Sequence, residues 1–254
     1  MSIQPKTALV TGGARRIGAG IVRDLAAHGF NVAIHCNRSR AEADALATEI
    51  GAAGGSAVVV TADLSERAAL AGLVAQAQVA LGPIGLLVNS ASLFESDEID
   101  TFDWDTWDAH FAVHLNAPVM LARQLAAGLP DDMTGLVVNI VDQRVLRPNP
   151  RFFSYTLSKS ALWDATRTMA QALAPKVRVN AIGPGPTLPN SRQQQSDFDR
   201  QVSGLLLKHG PDMAEFGATI RYLFDAMSVT GQMIAIDGGQ HLAWQTPDVT
   251  GMRE

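Results

Sequence analysis

This sequence of 254 residues has little of several features that would point to particular classes of protein. Its single cysteine, Cys36, excludes an internal disulfide and a cysteine-rich metal site. It contains no run of about 18 uncharged apolar residues, the length that a membrane-spanning helix needs. Residues 1–6 lack the apolar core of a secretory signal. These absences predict a cytoplasmic protein that binds no membrane.

Positive charge is also in short supply. The chain has 20 Lys and Arg against 25 Asp and Glu, so its formal net charge is −5. This balance argues against broad electrostatic capture of nucleic acid or an anionic membrane, because such partners need a basic face. Charged residues make up only 18% and hydrophobic residues 47%, a composition that can fill a sizeable core. We expect a folded protein that acts on small molecules.

The sequence does contain a regular alternation of short apolar runs and helical patterns. The apolar runs, predicted as strands, cover residues 7–10, 31–34, 57–60, 86–89, 136–141, 177–182 and 233–237. The first helical patterns cover residues 17–28, 40–50 and 66–81. Buried strands separated by helices indicate an α/β fold whose parallel sheet is doubly wound, with helices on both faces. No linker or repeat divides the chain, so we expect one domain over residues 1–254.

Two polar stretches stand outside this pattern. Residues 188–210 follow the carboxyl end of a predicted strand and include Gln193, Gln194 and Gln195. This stretch is either an irregular surface excursion or a lid that closes over a ligand. The polar tail, residues 244–254, is a candidate for contact with a neighbouring subunit.

A glycine-rich turn lies between the first predicted strand and the first predicted helix. It runs from Thr11 to Gly18 and includes Gly12. Glycines let the backbone approach a pyrophosphate, and the helix amino terminus then offers free N–H groups and partial positive charge. A tight strand–helix connection is the plainer interpretation, but the strand before and the helix after favour dinucleotide binding.

The end of the second predicted strand bears on the choice between NAD and NADP. An NAD site usually has an acidic residue there, but this segment contains Asn37, Arg38 and Ser39 and no acid. A guanidinium can bind a 2′-phosphate through two hydrogen bonds. Arg15 and Arg16 lie in the nearby turn, so we favour NADP over the alternative that Arg38 is a solvated loop residue.

Tyr155 and Lys159 are four residues apart, hence on one face of a helix. We expect the ammonium to lower the pKa of the phenol, which could then transfer a proton near neutral pH. Asp142 precedes Tyr155 by 13 residues and follows a predicted strand, where ligands of doubly wound sheets bind. An alternative role for Asp142 is to cap the strand end or bind loop amides.

These motifs, taken in order, resemble the short-chain dehydrogenase/reductase family over about residues 7–239. The resemblance rests on the glycine turn, Asp63-Leu64, Asn89-Ser90-Ala91, Tyr155 with Lys159, Pro184-Gly185 and the closing Val229-Thr230-Gly231 and Asp237-Gly238-Gly239. It implies a single-domain Rossmann-fold oxidoreductase, commonly a tetramer. The cofactor residues that it implies are Gly12, Arg15, Arg16, Ile17, Gly18, His35, Asn37, Arg38, Ser39, Asp63, Leu64, Asn89, Ser90, Ala91, Tyr155, Lys159, Pro184, Gly185 and Thr187.

The sequence departs from the general family pattern in an informative way. Arg16 replaces the usual middle glycine, and Asp142 replaces the usual catalytic serine. Both features are similar to the pteridine reductase branch. The segment His114-Leu115-Asn116-Ala117-Pro118 resembles bacterial dihydromonapterin and dihydrofolate reductases, and it places His114 where the family has a proton-relay asparagine.

This branch resemblance implies a substrate site made by Arg16, Ser92, Phe94, Asp142 and Tyr155, with Phe94 stacked on a pterin. The catalytic residues would be Tyr155, Lys159, Asp142 and His114, and the reaction would be hydride transfer from NADPH to a pterin C=N bond. Plainer interpretations are core packing for Phe94 and a buried, satisfied imidazole for His114. We expect the acidic run from Asp97 to Asp105 to be solvated surface, with no metal site.

Two other functions stay open at this stage. One is a carbonyl reductase of the same family, acting on a ketone, a 3-oxoacyl group or a sugar. The other is a cofactor-binding sensor with little turnover, against which the intact Tyr155 and Lys159 pair argues.

Overall fold

The computed structural model describes residues 3–189 and 193–251. In this part of the chain seven strands form one sheet in the order β3-β2-β1-β4-β5-β6-β7, and every neighbouring pair is parallel. The strands are β1 (Thr7–Thr11), β2 (Asn31–Cys36), β3 (Ala57–Thr61), β4 (Leu86–Asn89), β5 (Gly135–Ile140), β6 (Val177–Pro184) and β7 (Met233–Ile236). The predicted seven-stranded, doubly wound α/β sheet is confirmed.

Helices connect the strands. They are α1 (Arg16–Ala27), α2 (Arg40–Ala52), α3 (Arg67–Leu70), α4 (Leu73–Leu81), α5 (Trp104–Phe111), α6 (Ala117–Gly128), α7 (Phe153–Leu173), α8 (Gln195–Ser203) and α9 (Met213–Asp225). A π-helical turn, Ala112–Asn116, joins α5 to α6, and short 3-10 turns cover Gln143–Val145 and Gln240–Leu242. None of these helices combines the length and hydropathy needed to cross a membrane.

One predicted helix is divided in the structure. The pattern over residues 66–81 predicted a single helix, but α3 ends at Leu70 and α4 begins at Leu73 after Gly72. Glycine costs about 1 kcal/mol in a helix interior relative to alanine, which favours a break at this position. The apolar spacing continues across the break, and for that reason the sequence pattern concealed it.

The core has two layers, one on each face of the sheet. Successive strand residues point to opposite faces, so Val10 joins one layer and Leu9 the other. The first layer contains Ile21 from α1 and Phe216 from α9, and the second contains Leu121 from α6. Burial of both faces explains why the strands are apolar throughout.

A buried cation holds the carboxyl end of α9. Arg178, on β6, is 9% exposed, and its guanidinium donates hydrogen bonds to the carbonyl oxygens of Leu223, Phe224, Ala226 and Val229 at 2.7–3.2 Å. Carbonyl groups at a helix carboxyl end have no partner within the helix, and the helix dipole favours a cation there. Arg178 therefore ties α9 to the sheet.

The expectation of a solvated acidic run fails at Asp97. Its carboxylate is buried and accepts hydrogen bonds from the backbone N–H and the hydroxyl of Ser154 at the start of α7. Asp103 caps the amino end of α5 by accepting from the backbone N–H of Thr106 at 2.8 Å. Helix amino ends favour negative charge, and this explains both positions.

The strand order reverses between β1 and β4: from β1 the next strands, β2 and β3, lie on one side, and from β4 the next strands, β5, β6 and β7, lie on the other. Ligands of doubly wound folds bind beyond the carboxyl ends of the strands at such a point. A cleft of about 1710 Å³ opens there. Its lining comes from the loops after β1, β2, β4, β5 and β6 and from α8.

Candidate active site

Tyr155 and Asp142 meet on the floor of the cleft. The Tyr155 hydroxyl donates a hydrogen bond to Asp142 Oδ2 at 2.9 Å. Lys159 lies one turn further along α7, and its ammonium donates to the carbonyl oxygen of Ile140 at 2.8 Å. All three charged or polar side chains line the cleft, as the spacing in the sequence predicted.

Asp142 binds a loop amide and the phenol at the same time. Its Oδ1 accepts the backbone N–H of Arg144 at 2.9 Å and caps the 3-10 turn after β5, while Oδ2 accepts from Tyr155. The cap fixes the carboxylate, so that the second oxygen faces the phenol. A serine hydroxyl at this position would carry no charge.

The pKa of Tyr155 differs from the sequence-based expectation. Burial and the adjacent Asp142 carboxylate raise the pKa of the phenol well above its usual range, and Arg144 only partly opposes them. Burial lowers the pKa of Lys159 to about 8. The expected net lowering of the phenol pKa is therefore wrong, because burial and the hydrogen-bonded Asp142 carboxylate both raise that pKa. The phenol holds its proton and can donate it.

Aromatic rings and a guanidinium surround this pair. Phe94 stacks on Phe152, with ring centroids 4.4 Å apart and planes 15° apart, and lies edge-on to Tyr155 at 4.8 Å. The Arg144 guanidinium carbon lies 5.2 Å from the Phe94 centroid and 4.8 Å from that of Phe152. One face of Phe94 is thus occupied by Phe152, which sequence reasoning did not foresee. Ser92 lines the cleft beside Phe94, as predicted.

The glycine turn is shaped by close backbone contacts. Gly12 has a φ of +62°, and a Cβ on Gly18 would lie 2.1 Å from the carbonyl oxygen of Gly12. The Gly12 N–H donates to Nδ1 of His35 at 3.2 Å. These contacts present the amino end of α1, with Arg15 and Arg16, to the cleft.

His35 supports the glycine turn from the interior of the protein. It is buried, its Nε2 contacts the carbonyl oxygen of Ala62 at 3.1 Å, and burial lowers its pKa to about 4. The ring is therefore neutral and supports Gly12. The side chain of His35, predicted to contact the cofactor, is not part of the cleft lining, because its ring lies between the Gly12 N–H and the carbonyl oxygen of Ala62.

Three further predicted cofactor residues lie outside the lining. Leu64 and Asn89 are buried, and Asn89 donates to Oδ1 of Asn139 at 2.8 Å to join β4 to β5. Asp63 accepts hydrogen bonds from Ser65, which lower the pKa of its carboxyl. The remaining predicted cofactor residues line the cleft: Gly12, Arg15, Arg16, Ile17, Gly18, Asn37, Arg38, Ser39, Ser90, Ala91, Tyr155, Lys159, Pro184, Gly185 and Thr187.

The donor set at this end of the cleft fits NADP. Arg38 is exposed and Ser39 half-buried, directly beyond the carboxyl end of β2. No acidic residue stands where an NAD-specific site would have one. Arg15 is also open to solvent and lies 3.9 Å from Glu42. Cations, a hydroxyl and helix N–H groups are the groups that bind phosphate.

Arg16 joins the glycine turn to the stretch predicted as a lid. It adopts a positive φ of 51°, uncommon outside glycine, and its guanidinium donates to the carbonyl oxygens of Leu188 and Pro189 at 3.2 and 3.0 Å. Further along, α8 brings Phe198, Arg200 and Gln201 to the cleft. Residues 190–192 lie outside the described residues.

His114 is enclosed by hydrogen bonds. Its Nε2 accepts the backbone N–H of Leu93 at 3.0 Å and contacts the hydroxyl of Ser92 at 3.0 Å, and its Nδ1 contacts the hydroxyl of Ser158 at 2.8 Å. The ring is 1% exposed and does not line the cleft. This arrangement matches the plainer interpretation of a buried, satisfied histidine.

Sequence reasoning missed part of the substrate end. Gln143, Arg144, Arg147, Arg151 and Phe152 line the cleft from the segment between β5 and α7. Their position after Asp142 was the available signal, because loops at strand carboxyl ends build such sites. No group of three or more His, Cys, Asp or Glu side chains suited to a metal occurs within residues 3–189 and 193–251.

The sheet, glycine turn and Tyr–Lys helix together define a dinucleotide-dependent oxidoreductase, and the chain belongs to the short chain dehydrogenase family, whose model matches residues 6–200. This confirms the family resemblance of the sequence. Among curated relatives, the chain is 28% identical over 242 residues to dihydromonapterin reductase of Citrobacter koseri, which covers 94% of this chain and 98% of the relative. It is 26% identical over 242 residues to 3-oxoacyl-[acyl-carrier-protein] reductase FabG of Staphylococcus epidermidis, with coverage of 93% and 99%.

Two solved structures are more similar to this chain than these two curated relatives are. FolM alternative dihydrofolate reductase 1 from Brucella canis, complexed with NADP, is 61% identical and superposes with a TM-score of 0.94, covering 96% of this chain and 97% of that one. The protein of the same name from Brucella suis, also in complex with NADP, is 62% identical with a TM-score of 0.94, covering 96% and 98%. The predicted place in the pteridine reductase branch is confirmed.

Proposed function

We propose that this protein is an NADPH-dependent reductase that transfers a hydride to a C=N bond of a dihydropterin. The observation that carries the proposal is the 2.9 Å hydrogen bond between Tyr155 and Asp142. It places a carboxylate where the general family pattern has a serine. Identity of about 61% to an NADP-bound alternative dihydrofolate reductase supports the same conclusion.

NADPH supplies the hydride when it is bound. The helix N–H groups at the start of α1, with Arg15 and Arg16, hold the phosphates, and Arg38 and Ser39 hold the 2′-phosphate. Lys159 is positioned to bind the nicotinamide ribose. Asp63, Leu64 and Asn89 support this half of the cleft from outside its lining.

Side chains of the protein supply the proton for the reaction. Reduction of C=N to CH–NH needs one hydride at carbon and one proton at nitrogen, and Tyr155 holds that proton on its hydroxyl. The raised pKa keeps the phenol protonated until a base accepts the proton. The hydroxyl donates to Asp142 in this structure, so it turns to the pterin nitrogen to give up its proton. Protonation of the C=N nitrogen ahead of the hydride makes an iminium cation, which the Asp142 carboxylate stabilises. A ketone oxygen, which develops negative charge, gains nothing from that carboxylate.

Ser92, Phe94 and Arg16 complete the proposed substrate site. A pterin ring is flat, and stacking on an aromatic face contributes about 0.5–1.5 kcal/mol beyond area burial. Phe94 lines the cleft next to Tyr155 and is the aromatic side chain that we assign to stack on the pterin. Arg16 lies between the phosphate end and residues 188–189, from which it can reach both ligands.

The test is a substrate panel. Purified protein is mixed with NADPH, and loss of NADPH absorbance is followed with dihydrobiopterin, dihydromonapterin, dihydrofolate and a set of small ketones and 3-oxoacyl thioesters. We expect turnover of the pterins and much slower turnover of the carbonyl compounds. Oxidation of NADPH with carbonyl compounds alone would establish the carbonyl reductase instead. Cofactor binding without any turnover would establish the sensor.

The assembly and setting of the enzyme form part of the proposal. A homo-oligomer, with a tetramer suggested by family resemblance, is part of the proposal. Trp104, Tyr222 and Trp244 are 67%, 58% and 63% exposed and are candidate contact residues. The proposal also includes a single domain, a lid over residues 188–210 and a cytoplasmic location. It further includes a contact between the tail, residues 244–254, and a neighbouring subunit. Light scattering over a range of concentrations measures the oligomer, and removal of residues 244–254 tests the tail.

A further inference from the structure

Two buried histidines, His110 and His114, share an unusual arrangement beside the cleft. They lie one turn apart on the helix formed by α5 and the π-helical turn, and their rings stack with centroids 5.4 Å apart and planes 15° apart. They are 0% and 1% exposed, and neither belongs to the cleft lining. We call them the histidine pair.

Each ring makes the same two kinds of contact. Nε2 of His114 accepts the backbone N–H of Leu93 at 3.0 Å, and Nε2 of His110 accepts the backbone N–H of Glu95 at 3.3 Å. A nitrogen that accepts an N–H carries no proton, so Nδ1 of each neutral ring is the donor. The pair therefore holds two alternate backbone groups of one extended segment.

On its other side the histidine pair contacts α7. Nδ1 of His110 lies 2.7 Å from the Ser154 hydroxyl, and Nδ1 of His114 lies 2.8 Å from the Ser158 hydroxyl. The Ser154 hydroxyl donates to the buried Asp97 carboxylate. The Ser158 hydroxyl donates to the carbonyl oxygen of Tyr155 at 2.8 Å. Both chains of hydrogen bonds thus run in one direction, from the segment through an imidazole to α7.

The histidine pair lies between two parts of the proposed active site. Residues 92–95 supply Ser92 and Phe94 to the proposed substrate site, and α7 supplies Tyr155 and Lys159. The histidine pair joins the two through hydrogen bonds on both of its sides. Ser92 itself contacts Nε2 of His114 at 3.0 Å, and the His114 ring lies edge-on to Tyr155 with centroids 5.3 Å apart.

We propose that His110 and His114 are positioning residues that fix the substrate-binding segment 92–95 against the Tyr155 helix, and so set the affinity for the dihydropterin without contacting it. The inference rests on the proposed function for the identity of the substrate. It extends that function because it assigns His110 a role and gives His114 a positioning role in place of the predicted catalytic one. Burial lowers the pKa of both rings, which keeps their Nε2 atoms as acceptors.

The test compares His110→Leu and His114→Leu with His110→Gln and His114→Gln, and uses His28→Leu, at an exposed histidine outside the cleft lining, as the matched control. Leucine removes the acceptor, and a glutamine carbonyl oxygen can replace Nε2. Hydrogen exchange of the Leu93 and Glu95 amides needs no substrate. We expect it to rise roughly 3–10-fold in the leucine variants, as loss of one net hydrogen bond implies, and to stay near wild type in the glutamine variants.

Kinetics with dihydrobiopterin and NADPH provide the second readout. We expect the leucine variants to raise KM for the pterin by roughly fivefold or more, with the Kd for NADPH unchanged and kcat less affected. Unchanged exchange at both amides would overturn the inference. So would equal loss of pterin affinity in the leucine and glutamine variants, because that result assigns the rings only a packing role.

Two further variants keep the test open if the leucine variants do not fold. Ser154→Ala and Ser158→Ala each remove one partner of an Nδ1 atom and leave the imidazole in place. Faster exchange at Leu93 or Glu95 in these variants supports the inference, and unchanged exchange contradicts it. If wild-type protein reduces no pterin, the proposed function fails, while the exchange experiment still decides whether the histidine pair holds the segment.

Discussion

The hydroxyl of Tyr155 lies 2.9 Å from Oδ2 of Asp142, and the two groups together form the proposed proton-donating end of the cleft. Replacing Tyr155 by phenylalanine removes the donor and leaves the ring. We expect kcat for dihydropterin reduction to fall by about 10²–10⁴ with the Kd for NADPH largely retained. Tyr222, the other tyrosine of the chain, is exposed on α9, and Tyr222→Phe is the matched control. Full activity in Tyr155→Phe would refute the assignment.

Asp142→Ser restores the general family pattern at one position. The serine keeps a hydrogen-bonding group for Tyr155 but removes the negative charge. We expect kcat/KM for dihydropterins to fall by roughly 10–100-fold, as for loss of a hydrogen bond to a charged group, while any activity on small ketones is retained or increased. Parallel assays with dihydrobiopterin and ketones measure the ratio. A pterin-to-ketone ratio equal to that of wild type would contradict a special role for the carboxylate.

Arg38 is expected to discriminate between the two nicotinamide cofactors. Arg38→Ala removes the guanidinium proposed to bind the 2′-phosphate, so the KM for NADPH rises by roughly 10–100-fold and the KM for NADH changes little. Arg40 lies two residues on, pairs with Asp44 at 2.8 Å and faces away from the cleft lining, so Arg40→Ala is the control. An unchanged NADPH KM in Arg38→Ala would show that Arg38 is only a solvated loop residue.

His35 should make the stability of the fold depend on pH. The unfolded chain binds a proton at this ring near pH 6.5, whereas burial lowers the pKa in the folded protein to about 4. Between these values the unfolded state binds more protons, so the free energy of unfolding decreases as pH falls, by roughly 3 kcal/mol in all. Denaturant unfolding at pH 7, 6, 5 and 4 measures the slope. His35→Gln should reduce this slope, and an unchanged slope would contradict the prediction.

Arg178 should contribute to stability and not to catalysis. Arg178→Met keeps much of the side-chain volume but leaves several carbonyl oxygens at the end of α9 without a donor. We expect the free energy of unfolding to fall by roughly 2–3 kcal/mol, with KM for both substrates unchanged. Arg167→Met, at an exposed position on α7, is the control. A variant as stable as wild type would show that water replaces the guanidinium at no cost.

Much of the fold could be predicted because its signals are local. Seven apolar runs predicted seven strands, and the glycine turn and the spacing of Tyr155, Lys159 and Asp142 indicated which loops meet at the cleft. Each of these signals lies within a few residues of the feature that it predicts. The division of α3 from α4 escaped because Gly72 interrupts the backbone and not the apolar spacing.

The features that the sequence predicted wrongly depend on contacts between residues of different secondary-structure elements. The phenol pKa was expected to fall because Lys159 is near in sequence, but burial and the carboxylate of Asp142, which reaches the hydroxyl from the turn after β5, raise it. The sequence predicted a solvated Asp97, but in the structure its carboxylate is enclosed by the start of α7, 57 residues further along the chain. His35 lies on the strand whose end faces the cofactor, but its ring turns inward to Gly12. The spacing of residues in a single sequence does not show which distant side chains will contact each other.

The bond from the Gly12 N–H to His35 also has a consequence for the thermodynamics of binding. The glycine turn is held by an imidazole that belongs to the folded core, so the conformational entropy of the turn is lost when the chain folds and not when a dinucleotide arrives. A rigid, preformed phosphate loop keeps more of its interaction energy as measured affinity. Flexibility introduced at His35 would therefore weaken the binding of a molecule that His35 never touches.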